Sequence, residues 1–519
     1  MAATLGSEPR PRWGREMHLS GNGAAIRMTG SVLIIGGGLG GLTAAVTAAA
    51  RGGRVTVIEK EPHAGGFAVA YRRGGHLFDV ALHVVPAGGP GQSFRWLADE
   101  LGLEGIRFIR LATGSRVILG EREFRLPNTA DGFFTSLADA FPGQTKGLQR
   151  LRRELLAAGA AYAPLFDVRV RTLAALPRFL PRLPTFLRQS YQSAESYLGR
   201  FVSDASLAAL LYQPAVFLGQ PMAEFPAVNY ILMAYLLLTE GMYSIAGGGQ
   251  TLTEALVRRL EALGGEVRRG TVRAVRVQNG RAVGVTLADG EEVHGDAVVS
   301  AINLPTLYRD LLPPECVPAA ARRAVNALRP SLSVLSLNLG LDCTPQALGI
   351  QDHLTVHFPD AQLDQCLRKQ RRGEFAGGFS ITAPGLSEPE APLARRHTLS
   401  VVVGTSGAWW NRLAPGDYQH EKERVRGAIM GQLEAVIPGL AAHVQCQDLA
   451  TPVTLQRYTG SPEGAIMGFE PECGRHRDVL RAARSPLPNL HLAGAWTDRM
   501  GGFLQSMMAG HLAGRRATA

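Results

Sequence analysis

Lysine is almost missing from this 519-residue chain: Lys60, Lys146, Lys369 and Lys422 are the only ones among 54 basic residues. The net charge is nevertheless +10 and the pI about 9.7, carried by arginine. An arginine-rich genome composition and an affinity for an anionic surface both account for this. No basic run is interleaved with aromatics on a recognisable module, which argues against nucleic acid as a partner. Cysteine is scarce too. Cys316, Cys343, Cys366, Cys446 and Cys473 show no CxxC spacing and no partnered histidine. That argues against a disulfide scaffold and against a zinc site, and it fits a reducing, cytoplasmic compartment. No metal-binding residues are expected. Long apolar runs are also lacking. The stretch from Ala227 to Thr239 contains Asn229 and is far shorter than the roughly 20 residues a membrane span needs. Residues 1–29 are polar and rich in Gly and Arg, with no apolar h-region. They read as a disordered arm and not as a signal peptide, with Met28 as an alternative start.

What the chain has in abundance is glycine, 61 residues of it, placed at telling positions. Val32-Leu-Ile-Ile-Gly36-Gly-Gly38-Leu-Gly-Gly41 reads as a buried strand, a glycine turn and a helix. Gly36 permits the tight turn, Gly38 the approach of a pyrophosphate, and Gly41 close packing of helix on strand. The helix start offers free N–H groups and a positive dipole end to phosphate. Glu59 ends the next strand 18 residues after Gly41, where a carboxylate accepts hydrogen bonds from an adenosine ribose. A nicotinamide-binding fold would run from that acid into another helix. Here a second glycine turn follows at Gly65-Gly66, then two short strand-like runs broken at Gly74-Gly75 and ending in Phe78-Asp79. On its own, that second turn reads equally well as a simple β-turn.

Taken together, Gly36–Gly41, Glu59, Gly65-Gly66 and Phe78-Asp79 resemble the two-dinucleotide-fold flavoproteins, specifically the phytoene desaturase, carotenoid isomerase and retinol saturase group. The C-terminal run from Asn489 through Gly494, Gly501, Gly502 and Phe503 to Gly510 carries the same resemblance. So do Met242 to Gly249, Asn338 to Asp342 and Gln456 to Gly468 in the middle of the chain. The resemblance implies FAD, with Gly36, Gly38, Leu39, Gly40, Gly41, Glu59, Lys60, Gly65, Gly66, Val272, Gly494, Gly502 and Phe503 as its binding residues. Two positions depart from the pattern. Phe67 stands where a basic residue often follows the second glycine pair, and Ala495 where many relatives have Asp, with Asp498 as a substitute.

The expected architecture is α/β: a discontinuous Rossmann-like FAD domain from residues 30–110, 240–305 and 485–519, and an α+β substrate domain from inserts 111–239 and 306–484. Leu252 to Leu263 predicts a helix and Gly265 to Val272 a strand. Ala274 onwards predicts a meander turning at Asn-Gly and Asp-Gly. Residues 144–200 read mainly as helix interrupted by Pro177, Pro181 and Pro184. There, apolar side chains alternate with Arg178, Arg182 and Arg188, as in a segment that dips into a bilayer interface or in a solvated connector. Leu207–Leu218 and Ile231–Leu238 read as walls of a lipophilic tunnel or as plain core.

The expected function is FAD-dependent desaturation, saturation or cis-trans isomerisation of a hydrophobic polyene or isoprenoid, at the edge of a membrane. The alternatives are an amine-oxidase-like enzyme for a smaller substrate and a non-catalytic prenyl-lipid carrier on the same fold. His83, Glu240, Tyr243, Arg457 and Glu463 are the acid or base candidates, and none is singled out.

Overall fold

The computed structural model describes residues 30–81, 83–111, 113–169, 176–177, 179–497 and 501–519. The residue 1–29 arm, Arg178 and Asp498 lie outside the described residues.

Two sheets organise the molecule. The first is wholly parallel, in the order Glu266–Arg269, Arg54–Glu59, Ser31–Ile35, Ala297–Ser300 and Leu490–Leu492. Its central strand, Ser31–Ile35, is a continuous apolar run, as expected of a strand covered on both faces. The helix Leu39–Ala50 packs on this sheet with every residue but Ala50 buried. It is built of small residues because it is sandwiched between the sheet and the C-terminal helix Phe503–Ala517. A Cβ on Gly510 would overlap the Gly40 carbonyl, and one on Gly514 the Ala44 carbonyl. Ser31, Ala297 and Leu490 are far apart in sequence, so this layer forms only when three chain segments meet.

The second sheet is mixed, in the order Val444–Ala450, Ser333–Leu341, Thr398–Thr405, Phe379–Thr382, Leu354–Phe358, Ser115–Leu119 and Arg122–Leu126. Every pair in it is antiparallel except Leu354–Phe358 with Ser115–Leu119. The helices Thr145–Tyr162, Leu183–Tyr191, Ala205–Tyr212 and Ala227–Glu240 share one apolar core with its last three strands, Leu354–Phe358 to Arg122–Leu126. Their apolar residues recur at helical spacing and face one another.

Two readings need correction. The Gly265 to Val272 run is not one strand: Glu266–Arg269 joins the parallel sheet, and Val272–Gln278 starts a separate antiparallel meander. Gly270 and Thr271 carry the break. The Gly270 N–H bonds the Glu59 carbonyl at 2.8 Å, and the chain then leaves the sheet plane. The helix expected from Leu252 begins earlier, at Gly248, because Asp79 receives its first turn: the Gly249 N–H donates to Asp79 Oδ1 at 3.2 Å. The meander turn falls at Asn279-Gly280, both at positive φ, as Asn-Gly turns require.

Candidate active site

The first glycine turn gives each glycine a separate task. Gly36 sits at φ +95°, a conformation that side chains disfavour. A Cβ on Gly41 would overlap the Gly36 carbonyl oxygen, so helix and strand could not meet. A Cβ on Gly40 would come within 2.6 Å of Gly494 Cα, on the turn that follows the last strand. Gly38 differs: its Cβ direction is open space, and it is the N-cap of Leu39–Ala50. That helix start has no side-chain cap and no acid in its first turn, which leaves its N–H groups available.

The second glycine turn docks on the first. The Gly65 N–H donates to the Gly37 carbonyl at 2.8 Å, and Gly66 lies 3.4 Å from Gly38 measured from its Cβ position to Cα. Glu59 is buried beside them. Its carboxylate accepts the Gly37 N–H at 2.6 Å and the Glu61 N–H at 2.9 Å, keeping two further lone-pair sites. Gly37 was not singled out from sequence, yet its N–H fixes the acid in place. At the other end of the chain, Gly502 (φ +105°) also faces open space and caps the helix that begins at Phe503, again with no side-chain cap and no first-turn acid. Two bare helix starts and open glycine surfaces make a cradle for a molecule with a pyrophosphate and a flat ring. The residues present therefore fit FAD.

Two expected contacts sit less directly. The Lys60 amine donates to the Arg457 carbonyl at 3.0 Å and pairs with Glu61 at 3.4 Å, so it ties the turn to the helix Pro452–Thr459. Val272 is half-buried at the start of the meander, opposite Leu287.

Beside Gly501, Gly502 and Phe503 opens a cavity of about 2130 Å3. Phe217, Leu232, Met233, Leu236 and Met467 are among its walls, and Leu354, Ser380, Thr382 and Val402 of the mixed sheet also line it. Both runs read as tunnel walls contribute: Phe217 and Leu218 from one, Leu232, Met233, Tyr235, Leu236 and Leu237 from the other. Of the five acid or base candidates, His83 and Glu240 border the cavity; Tyr243, Arg457 and Glu463 do not. Among the described residues neither His83 ring nitrogen has a hydrogen-bond partner, and burial pushes that imidazole down to about 4. Glu240 ends the helix Ala227–Glu240; burial raises its carboxyl above the usual range against the pull of Arg169. Tyr243 is buried against Gly88 and Gly89. Arg457 stacks over Tyr458. Glu463 occupies a loop at φ +58°.

The role of Asp79 was not legible in the sequence beyond its motif. It pairs with Arg395 at 2.6 Å; Arg395 also binds Glu388 at 2.9 Å, whose other oxygen accepts the Gly247 N–H at 2.7 Å. All three side chains are buried. The network clamps the start of helix Gly248–Ala262 to the mixed sheet's Leu393–Thr398 corner. Cys343 acquires neighbours only in the fold. It carries no partnered histidine in sequence, yet its sulfur, Asp342 and His443 bring ligand atoms within 4.8 Å of one another at the protein surface.

The family model for flavin containing amine oxidoreductases matches residues 39–518. The chain belongs to that family. As a member, it is an FAD-dependent oxidoreductase. The flavoprotein is 25% identical over 499 residues to the all-trans-retinol 13,14-reductase of Macaca fascicularis, covering 89% of this chain and 81% of that one. It is 26% identical to the lycopene-forming phytoene desaturase of Paracoccus sp., over 85% and 87% of the two chains. Among solved structures, a putrescine oxidase bound to putrescine superposes with TM-score 0.64 at 18% identity, covering 94% and 98%. That likeness is one of fold: a Rossmann-like FAD layer on a mixed sheet. No described helix is long and apolar enough to cross a membrane.

Proposed function

We propose that this flavoprotein desaturates, saturates or isomerises the carbon chain of a hydrophobic polyene or isoprenoid, taken from a membrane surface. The observation that carries the reading is the cavity. At about 2130 Å3, the room for a flavin ring beside Gly502 and Phe503 included, it is more than double the upper end of ordinary small-molecule sites, and its lining is mainly apolar. A substrate with few polar handles is aligned by shape. Its retinol reductase and phytoene desaturase relatives are named for polyene chemistry.

FAD, when bound, would supply hydride acceptance or donation. Gly36, Gly38, Leu39, Gly40 and Gly41 would hold its pyrophosphate, Glu59 its ribose and Val272 its adenine. Lys60 and the Gly65-Gly66 turn would close over it, and Gly494, Gly502 and Phe503 would carry the ribityl chain and ring. Met467, Leu232 and Met233 exclude water and press the substrate into place.

Access from a bilayer is supported by the surface of helix Leu183–Tyr191 and the turn before it. Leu180, Leu187 and Tyr191 are exposed there, beside Arg182 and Arg188. Phe186 of the same helix lines the cavity. Tyr191 lies against Gly474, next to the helix His476–Ala482, whose exposed Leu480 also borders the cavity. This apolar rim with basic neighbours suits an anionic bilayer interface.

The amine-oxidase reading would place an aromatic pair against the ring. Among described aromatics near the C-terminal motif, Trp496 is buried edge-on against Phe469 at 4.9 Å, and neither presents a stacked cage. The test is product analysis. Protein loaded with FAD is incubated in liposomes with carotenes and retinol, oxidised and then reduced, with soluble amines alongside. A product changed by two hydrogens, or in geometry alone, supports the reading; turnover of amines only would overturn it.

A further inference from the structure

His83 lies on the segment between strands His76–Asp79 and Val85–Pro86 and borders the cavity. Its backbone is fixed: His353 Nε2 donates to the His83 carbonyl at 3.1 Å. Its imidazole is not engaged. Among the described residues neither ring nitrogen has a hydrogen-bond partner, and as the ring is placed both are shut off from solvent. Buried polar atoms in folded proteins are nearly always paired, so an imidazole with neither nitrogen used calls for an explanation.

The surroundings supply one. His353 immediately precedes Leu354, which pairs with Thr382 in the sheet, and the Ala383 N–H returns to the His353 carbonyl at 2.9 Å. Leu354, Thr382 and Ser380 all line the cavity. His83 and two hydroxyl side chains therefore share one region of a mainly apolar cavity. Burial, with the charge of Arg395 and the neighbouring His353, holds the ring neutral. A neutral imidazole carries one donor and one acceptor. A half-turn about χ2 exchanges ring nitrogens for carbons without changing the ring's outline, so either edge can be turned to a ligand.

Resting on the polyene reading, we propose that His83 determines specificity: it receives a hydroxyl group of the substrate, so the cavity selects a hydroxylated polyene over the parent hydrocarbon. A hydroxyl both donates and accepts, so it can pair with whichever nitrogen, protonated or bare, is turned towards it. A carboxylate would answer only the N–H, and a hydrocarbon neither nitrogen. Sites built to hydrogen-bond a substrate hydroxyl discriminate strongly against analogues that lack it.

The experiment uses the FAD-loaded full chain and two matched pairs: all-trans-retinol with its deoxygenated hydrocarbon, and a hydroxylated carotenoid with its parent carotene. Binding is read from perturbation of the flavin spectrum, and turnover as kcat and KM separately. The wild type should prefer the hydroxylated member of the better pair by at least about 10-fold. His83→Leu should erase that preference by raising KM for the alcohol while leaving the hydrocarbon unchanged or improved. His83→Gln, which keeps a donor and an acceptor, should restore part of it. Flavin content reports folding in each variant. Equal treatment of alcohol and hydrocarbon by the wild type overturns the assignment, and so does a His83→Leu loss shared equally by both. If no polyene perturbs the flavin of the wild type, the polyene reading falls first.

Discussion

At the scale of single residues, glycines three positions apart do opposite work. Gly38 faces open space, whereas a Cβ on Gly41 would overlap the Gly36 carbonyl. Gly38→Ala should therefore fold with a near-normal melting temperature yet lose most bound FAD, because the methyl fills the cradle. Gly41→Ala should lose folded protein itself. Melting curves and flavin absorbance on both variants separate the outcomes; equal loss of stability would refute the cradle. These roles were legible in the sequence, because a tight turn and a close approach leave little choice but glycine. The buried Asp79–Arg395 pair was not legible, because its partners lie 316 residues apart and only the folded sheet brings them together. Removing one partner strands a buried charge. Arg395→Leu should cost about 3–5 kcal/mol in denaturant unfolding, and Asp79→Asn with Arg395→Leu together should cost less than the sum of the single changes. Additive costs would mean the pair is not coupled.

At the scale of elements, the helix Leu183–Tyr191 divides its work between two solvents. Phe186 turns to the cavity, and Leu187 and Tyr191 turn outwards. Replacing both with Glu should lower binding to vesicles rich in anionic lipid by roughly 10-fold or more, from lost apolar insertion and new repulsion. Turnover of detergent-dispersed substrate should hardly change. A sedimentation assay with neutral and anionic vesicles reads the first effect, and unchanged binding would remove this helix from the membrane account. The sequence showed the amphipathic mixture here but not which residues face out, since prolines broke the helical period. Gly265 to Val272 likewise read as one strand; the break at Gly270 decides otherwise, and a residue pattern alone does not register a change of sheet.

At the scale of the whole molecule, three distant segments close one parallel layer, and the C-terminal helix seals it against Leu39–Ala50. His511 lies in that seam. It is 4% exposed, 3.1 Å from the Thr47 hydroxyl. Burial, with Arg515 and Arg51 nearby, lowers it from 6.5 to about 4. Below pH 6.5 the unfolded chain takes up a proton that the folded chain refuses. The seam's contribution is thus complete above 6.5 and is lost as pH falls towards 4, with a slope approaching about 1.4 kcal/mol per pH unit from this group. His511→Gln should flatten the pH dependence of unfolding by about one proton over that window; an unchanged slope would place the titration elsewhere. The parallel layer was readable from motifs at both ends of the chain. The cavity was readable only in part: the Leu207–Leu218 and Ile231–Leu238 runs stood out as candidate walls, but the strands and loops that complete it are brought together by no local pattern.

The account rests on a flavin ring that forms one wall of a greasy chamber. An anaerobic spectroscopic titration tests this most directly: the FAD-loaded protein, oxidised and reduced, receives a polyene or a soluble diamine while the flavin spectrum is followed. The account predicts that the polyene alters the spectrum in at least one redox state, by perturbation or by electron transfer, and that the diamine leaves it unchanged. Bleaching of the oxidised flavin by the diamine, with no response to any polyene, would contradict it.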